Sequence, residues 1–179
     1  MNLEKLKYPI GKREFDPNKA DQAISTWIKS IEEMPDKLIA ATSGLSEKQL
    51  TLNYRPGSWT IAQLVHHLAD SHINAYVRFK FALTEDHPKV KGYDENDWAL
   101  TIDAQNINIK PSLNIISGIH ARWAEVAHNM KPADLQRKYH HLGYKNDWTQ
   151  LSMLNLYAWH SEHHLAHVHQ AIKLNGNFE

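Results

Sequence analysis

Apolar residues recur at intervals of three and four along four long stretches of the chain, which is the spacing typical of amphipathic α-helices. The stretches cover approximately residues 17–43, 60–84, 111–130 and 150–174. Each has one apolar face, and no segment shows a convincing strand pattern. Because each apolar face must be buried against another element, the pattern predicts an all-α four-helix bundle.

Capping signals predict where three of these helices begin. Asp16-Pro17 places an N-cap residue before a proline at the first helical position. Thr60 and Gln63 have the spacing of a capping box before the second helix. Asp147 and Gln150 offer another box, so we expect the last helix to begin there.

The sequence also allows predictions for the segments outside this helical pattern. Residues 1–15 show no periodicity and read as an extended N-terminal arm. Pro35 interrupts the first helical pattern, which predicts a kinked helix or two pieces end to end. The polar loop at 85–110 should contain a short helix anchored by Trp98, and a loop of this length typically covers a site. Residues 139–143 could be briefly extended.

Length and composition restrict the class of protein. The 179 residues suit a single domain spanning 1–179, and 20 basic and 20 acidic residues give no net charge. The basic surface of a nucleic-acid-binding protein is therefore missing. There is no cysteine, which excludes thiolate ligands and a protein thiol nucleophile. No signal peptide or membrane span is evident, so we expect a cytoplasmic protein that binds no membrane.

Five of the 13 histidines lie between residues 160 and 169. His160 and His164 are four residues apart, so on a helix they lie one turn apart on the same face and could ligate one metal ion. His163 and His167 have the same spacing. At about 100° per residue, His164 lies within the apolar arc and His160 at its border. His163 and His169 point away from this arc, and His167 is marginal.

Two ligands do not make a stable metal site, and the second helix offers candidates for a third. His72 lies near the centre of its apolar arc, where a histidine is more often a hydrogen-bonded core residue than a ligand. His67 lies at the edge of the arc, and His66 faces away. Helical phase alone leaves the choice between His67 and His72 open.

His67 also begins a polar stripe beside the core face, continued by Ser71, Asn74 and Arg78. The stripe could line a cleft or form a partly solvated flank. Arg78 could bind an anionic group of a substrate or form a surface salt bridge. Asp70 could orient a ligand or accept a proton, or be an ordinary solvated carboxylate. No residue stands out as a general base.

Four stretches of the sequence together closely resemble the YfiT-like branch of the DinB superfamily. They are RPGSWT at 55–60, VHHLADSHINAYVRFK at 65–80, YDENDW at 93–98 and WHSEHH at 159–164. The resemblance covers nearly the whole chain. It implies a four-helix bundle of up-down-down-up topology with one divalent metal held by three histidines, which fall here on His67, His160 and His164.

The resemblance further implies a cytoplasmic homodimer that acts as a metal-dependent hydrolase on a small-molecule substrate. Three imidazoles leave a metal ion with open positions, which is the pattern of a catalytic site. Zinc is the expected ion, with nickel and iron as alternatives. Two other functions stay open: transfer of a low-molecular-weight thiol such as bacillithiol onto an electrophile, and metal binding without catalysis.

Overall fold

The computed structural model describes residues 2–178, and in this part of the chain we find eight α-helices, one 3-10 helix and three short strands. The α-helices are α1 (Leu3–Lys7), α2 (Ile24–Thr42), α3 (Glu47–Leu50), α4 (Ile61–Thr84), α5 (Glu95–Trp98), α6 (Lys110–His128), α7 (Pro132–Leu135) and α8 (Gln150–Leu174). The 3-10 helix covers Pro17–Gln22, and the strands are β1 (Lys89–Val90), β2 (Lys138–His141) and β3 (Asn146–Thr149).

The four long helices form the predicted bundle. Helices α2 and α4 each pack against both α6 and α8. Most residues of the predicted apolar faces are buried between them, including Leu64 and Leu68 at one end of the core and Phe79 and Trp123 at the other. Because α4 contributes to both ends, its polar stripe runs along the length of the bundle.

The capping signals have different outcomes, because the first long helix, α2, begins at Ile24 and not at the predicted Asp16-Pro17. The Thr60 and Gln63 side chains close a capping box at the start of α4, and Asp16 caps the 3-10 helix. The expected box at Asp147 is wrong, because α8 is capped by Thr149. Asp147 instead lies in β3, where its carboxylate is 3.1 Å from Lys138 Nζ.

Helix α2 continues through Pro35, so the predicted division into two pieces is wrong. Burial of Ile31, Met34 and Leu38 on either side of the proline holds the helix together, and this packing outweighs the local cost of a proline. Proline has no amide hydrogen, so Pro35 cannot donate a hydrogen bond to the carbonyl group of Ile31, four residues earlier.

A small sheet accompanies the bundle, contrary to the expectation of no convincing sheet. Strand β1 pairs in parallel with β2, and β2 pairs antiparallel with β3. The expected extended segment at 139–143 is confirmed in part by β2. The sheet packs against α4 and α8 and closes one side of the cavity discussed below.

The N-terminal arm is not extended throughout, because Leu3–Lys7 forms the one-turn helix α1 with Asn2 as its cap. Burial of Leu6 and hydrogen bonds to α8 explain why this segment is ordered: Arg13 Nε donates to Asn155 Oδ1 over 2.7 Å. The arm therefore covers part of α8. None of the helices within residues 2–178 combines the length and the apolar character required to cross a membrane.

Candidate metal centre

The fold brings His67 of α4 together with His160 and His164 of α8. One ring nitrogen of each residue lies within 4.8 Å of the corresponding nitrogens of the other two. The centroids of the His160 and His164 rings are 4.4 Å apart, and that of His67 lies 5.1 Å from His164. His67 and His164 are buried, and His160 is half-buried. The pair predicted from helical phase therefore faces a third histidine across the helix interface.

All three imidazoles are held in their neutral form. Burial lowers the pKa of His67 to about 4. Burial, reinforced by the neighbouring histidines, lowers the pKa of His160 and of His164 well below the ordinary value. Neither ring nitrogen of His67 forms a hydrogen bond within the described residues, and its ring tilts against Trp59 at 4.7 Å. Three neutral imidazoles with free lone pairs are a suitable ligand set for a divalent ion.

His72 is a buried core residue, as its position at the centre of the apolar arc indicated. Its Nε2 lies 3.0 Å from His160 Nδ1, and its Nδ1 lies 2.6 Å from His120 Nε2. His120, on α6, contacts the carbonyl oxygen of Ile31 through its own Nδ1. Helical phase left open whether His67 or His72 lies beside the two histidines of α8. In the structure, His67 faces both His160 and His164, whereas His72 contacts the Nδ1 side of His160.

The predicted outward orientation of His163 is wrong, since His163 is buried beside His164. Two aromatic side chains cover His163: Tyr8 of the N-terminal arm, with ring centroids 6.0 Å apart, and Trp159 of α8 itself, which stacks on it at 4.3 Å. His167 is also buried, with Nε2 hydrogen-bonded to the carbonyl oxygen of Lys7. Helical phase could not anticipate a cover formed by a segment that showed no periodicity.

The other two orientations predicted for histidines had different outcomes. His169 is exposed, as expected. His66 does not face solvent: its ring is buried and contacts the Ser112 hydroxyl and the carbonyl oxygen of Asn106, each at 2.8 Å. The start of α6 and the loop before it cover this face of α4. The sequence indicated both segments but not that they pack on α4.

A cavity of about 870 Å³ adjoins the candidate metal centre, with His160 in its wall. Ser71, Asn74 and Arg78 of the polar stripe line it, so the stripe forms a cleft and not a solvated flank. Asp70 lies outside this wall.

The long polar loop covers the cavity, as predicted, and contributes Tyr93 and Trp98. Trp98 is 40% exposed, however, so it packs on the cavity wall and is not a core anchor.

Several hydrogen-bond donors in the cavity wall are incompletely satisfied. Arg78 is 8% exposed and donates to one neutral group, the carbonyl oxygen of Lys91, at 2.9 Å. No carboxylate within the described residues forms an ion pair with its guanidinium. The buried hydroxyl group of Tyr93 has no hydrogen-bond partner; Ser71 lies beside it, but no hydrogen bond joins them.

His141 is a further residue of the cavity wall that sequence analysis did not select. Its Nδ1 accepts hydrogen bonds from the backbone amides of Gly143 and Tyr144, each at 3.2 Å. The neutral ring therefore carries its hydrogen on Nε2, where it is available as a donor. Gly92 packs so closely on this ring that an added Cβ would lie 2.9 Å from it. In the sequence, the glycine at position 92 was a signal that could have pointed to a side chain packed closely at this place.

Comparisons with known proteins agree with this architecture. The family model of the DinB superfamily matches residues 30–168. A Geobacillus thermodenitrificans protein named "Putative metal-dependent hydrolase" is 41% identical over 174 residues, which cover 97% of this chain and 98% of that protein. A similarly named protein from Oceanobacillus iheyensis is 41% identical over 165 residues, covering 90% of this chain and 93% of its own length.

A solved structure matches as well. YfiT from Bacillus subtilis, described as a probable metal-dependent hydrolase with an unusual four-helix bundle topology, superposes with a TM-score of 0.91 at 37% identity. The match covers 96% of this chain and 98% of that chain. A family match over most of the chain and relatives aligned nearly end to end lead to one conclusion: this protein belongs to the DinB superfamily.

Proposed function

We propose that this protein is a metal-dependent hydrolase in which His67, His160 and His164 bind one divalent ion, with zinc as the expected metal. The observation that carries the proposal is the convergence of three neutral histidine nitrogens from two helices beside an open cavity. A fully protein-ligated structural site would provide a fourth ligand, and within the described residues this group has three; a second histidine group, His163, His164 and His167, shares only His164 with it. The names of the relatives support the same chemistry.

The bound ion would supply Lewis acidity and make a water molecule acidic enough to act as a nucleophile near neutral pH. The residues of the chain determine what else the site can do. His67, His160 and His164 stay neutral at that pH because they are buried, so protons do not compete for their lone pairs. Hydrolysis would consume one water, with the hydroxyl group joining one product and the proton the other.

The cavity supports a small-molecule substrate that carries an anionic oxygen group, such as a carboxylate or a phosphate. Arg78 offers a guanidinium that forms no ion pair within the described residues, and Tyr93 and His141 offer donors in the same wall. A guanidinium matches the geometry of such groups through paired hydrogen bonds. Asp94 and Glu95 also line the cavity, and these carboxylates disfavour a highly charged polyanion. His160 in the same wall would place the reacting bond near the metal.

The test begins with metal content. We expect purified wild-type protein to contain about one divalent ion per chain and His160→Ala to lose most of it, because two imidazoles hold such ions weakly. His169→Ala is the matched control, since His169 is an exposed histidine of the same helix. Full metal content in His160→Ala would show that the site is wrong.

The reaction class is tested separately with the metal-loaded protein. Ester and amide cleavage is assayed beside the consumption of a small thiol with a model electrophile. Cleavage that depends on His160 agrees with a hydrolase, whereas thiol consumption without cleavage would make the protein a thiol transferase. Firm metal binding with neither activity would favour a metal-binding module. The homodimer and the cytoplasmic location implied by the family resemblance stay predictions.

A further inference from the structure

Two buried histidines connect the candidate metal centre to the backbone of α2. His160 Nδ1 lies 3.0 Å from His72 Nε2, and His72 Nδ1 lies 2.6 Å from His120 Nε2. His120 Nδ1 then contacts the carbonyl oxygen of Ile31. His72 and His120 have no exposed surface, and their rings stack with centroids 4.8 Å apart. We call this continuous path through His160, His72 and His120 the histidine relay.

The carbonyl oxygen at the end of the relay fixes the direction of every hydrogen bond in it. A carbonyl oxygen only accepts, so the hydrogen of His120 must be on Nδ1, and in a neutral ring Nε2 then accepts from His72. His72 Nδ1 carries the donated hydrogen, and its Nε2 accepts from His160 Nδ1. Burial lowers the pKa of His120 to about 4, in agreement with a neutral ring. The remaining nitrogen of His160, Nε2, therefore keeps its lone pair.

The sequence explains why this carbonyl group is available. In a regular helix the carbonyl oxygen of Ile31 would accept from the amide at position 35, but that position is Pro35, which has no amide hydrogen. Pro35 lies inside the continuous helix α2 and is buried. Its presence leaves the Ile31 carbonyl without its usual helical donor, and His120 occupies that place.

We propose that His72 and His120 are positioning residues, which hold His160 in the tautomer and ring orientation that present its Nε2 lone pair to a metal shared with His67 and His164. The proposal rests on the metal site of the proposed function. The opposite tautomer would place a hydrogen on the ligating nitrogen and could not bind an ion. Outer hydrogen-bond partners of metal-binding histidines typically change metal affinity by about 10- to 100-fold when they are removed.

Two substitutions at one position separate this role from simple core packing. In His120→Gln, the amide group can accept from His72 and donate to the Ile31 carbonyl, so the relay can be re-formed. In His120→Phe, an aromatic ring keeps most of the volume but supplies neither interaction. His66→Phe is the matched control, because His66 is another buried histidine with a backbone carbonyl partner and has no contact with the relay.

Zinc affinity is measured for each variant by competition with a chromophoric chelator. We expect His120→Phe to bind zinc about 10- to 100-fold more weakly, with His120→Gln within about threefold of wild type and His66→Phe unchanged. Equal affinity in His120→Phe and wild type would overturn the proposal, as would equal losses in His120→Gln and His120→Phe.

A second measurement needs no variant and no metal. Long-range ¹H–¹⁵N correlation spectra of metal-free wild-type protein report which nitrogen of each imidazole carries the hydrogen. We expect His160, His72 and His120 all to carry it on Nδ1, and a hydrogen on Nε2 of His72 or His160 would contradict the relay. Wild-type protein that binds no metal would refute the proposed function itself. Firm metal binding that does not respond to His120→Phe would refute only the positioning role.

Discussion

Arg78 is almost fully buried and forms no ion pair within the described residues. A negative charge in the same cavity wall is Glu95, whose pKa is raised by burial and lowered in part by Arg78. The guanidinium of Arg78 donates to the Lys91 carbonyl oxygen, which orients it without neutralising it. Burial of an unpaired charge is costly unless a partner is acquired. An anionic ligand in the cavity would supply that partner at closer range than Glu95 does.

Binding of simple anions therefore should depend on Arg78. We expect succinate to shift the NMR signals of the cavity residues Trp98 and Trp148, and Arg78→Gln to weaken this binding about 10- to 100-fold, as for a lost charge-assisted hydrogen bond. Neutral succinamide should bind poorly to both proteins. Arg122→Gln, in a separate surface groove, is the control.

The same titration is repeated without metal. Succinate that binds equally to Arg78→Gln and wild type would exclude the role of Arg78. Binding that requires zinc and ignores Arg78 would show that the anion ligates the metal. Inorganic phosphate as a second probe distinguishes a preference for phosphate from one for carboxylate.

The histidines show which residue positions the sequence can place. Helical phase placed His160 and His164 on the inward side of α8, where the structure also has them, because both lie on or beside the apolar arc of one regular helix. It left His67 and His72 undecided, since the answer depends on the distance to α8 across the bundle. His163 was misplaced because part of its cover comes from a distant segment of the chain, and a single-helix periodicity carries no information about such a contact.

At the scale of elements, the N-terminal arm is held to α8 by several hydrogen bonds, and Arg13 is the arm residue that donates two of them. Its guanidinium donates to Asn155 Oδ1 and to the Ser152 carbonyl oxygen at 3.1 Å. The arm in turn supplies the Lys7 carbonyl oxygen that His167 contacts. Attachment of the arm and burial of the histidines beside the candidate ligands are therefore coupled.

We expect Arg13→Met to lower the free energy of unfolding by about 1–2 kcal/mol, because two partly buried hydrogen bonds are lost. Hydrogen exchange should accelerate in residues 3–7. Lys12→Met is the matched control: Lys12 forms an exposed ion pair with Glu4, with side chains 68% and 56% exposed, and such pairs contribute little. Equal exchange rates in the two variants would show that Arg13 does not hold the arm.

The long helices were predictable, as in part were the short helix α5 and strand β2, whereas β1, β3 and the sheet they form with β2 were not, for a physical reason. A long amphipathic helix repeats its apolar signal over several turns, and the side chains of Thr60 and Gln63 mark one start locally. Strand β1 has two residues and pairs with β2 about 50 positions later, so its signal is tertiary. Pro35 was expected either to kink the helix or to divide it into two pieces, and burial on both sides of the proline keeps the helix continuous.

At the scale of the whole molecule, this fold buries many histidines in neutral form, which couples stability to pH. His72 and His120 lie in the centre of the bundle with no exposed surface. Only the uncharged ring tolerates such an environment, because burial disfavours the charged form. Protonation of these residues therefore favours the unfolded chain.

His120 provides the clearest prediction of this kind. Its pKa is about 4 in the folded protein and 6.5 in its ordinary state, so between these values the unfolded chain binds more protons than the folded one. The free energy of unfolding must then rise with pH from about 4 to about 6.5 and level off above, by at most about 1.4 kcal/mol per pH unit for this residue. The contribution of neutral, buried His120 to the free energy of unfolding is lost as the pH falls from about 6.5 to about 4.

Carboxylates also titrate in this acidic range and change the stability of every variant. The test therefore compares the pH dependence of stability in wild type with that in a variant that lacks His120. Denaturant unfolding of metal-free wild type and His120→Gln is measured at several pH values across this range in the presence of a chelator. We expect a smaller slope of stability against pH in the variant, since one neutral buried histidine has been removed. His169→Gln, which changes an exposed histidine, should keep the wild-type slope. Identical slopes in wild type and His120→Gln would mean that His120 does not titrate differently in the folded and unfolded states.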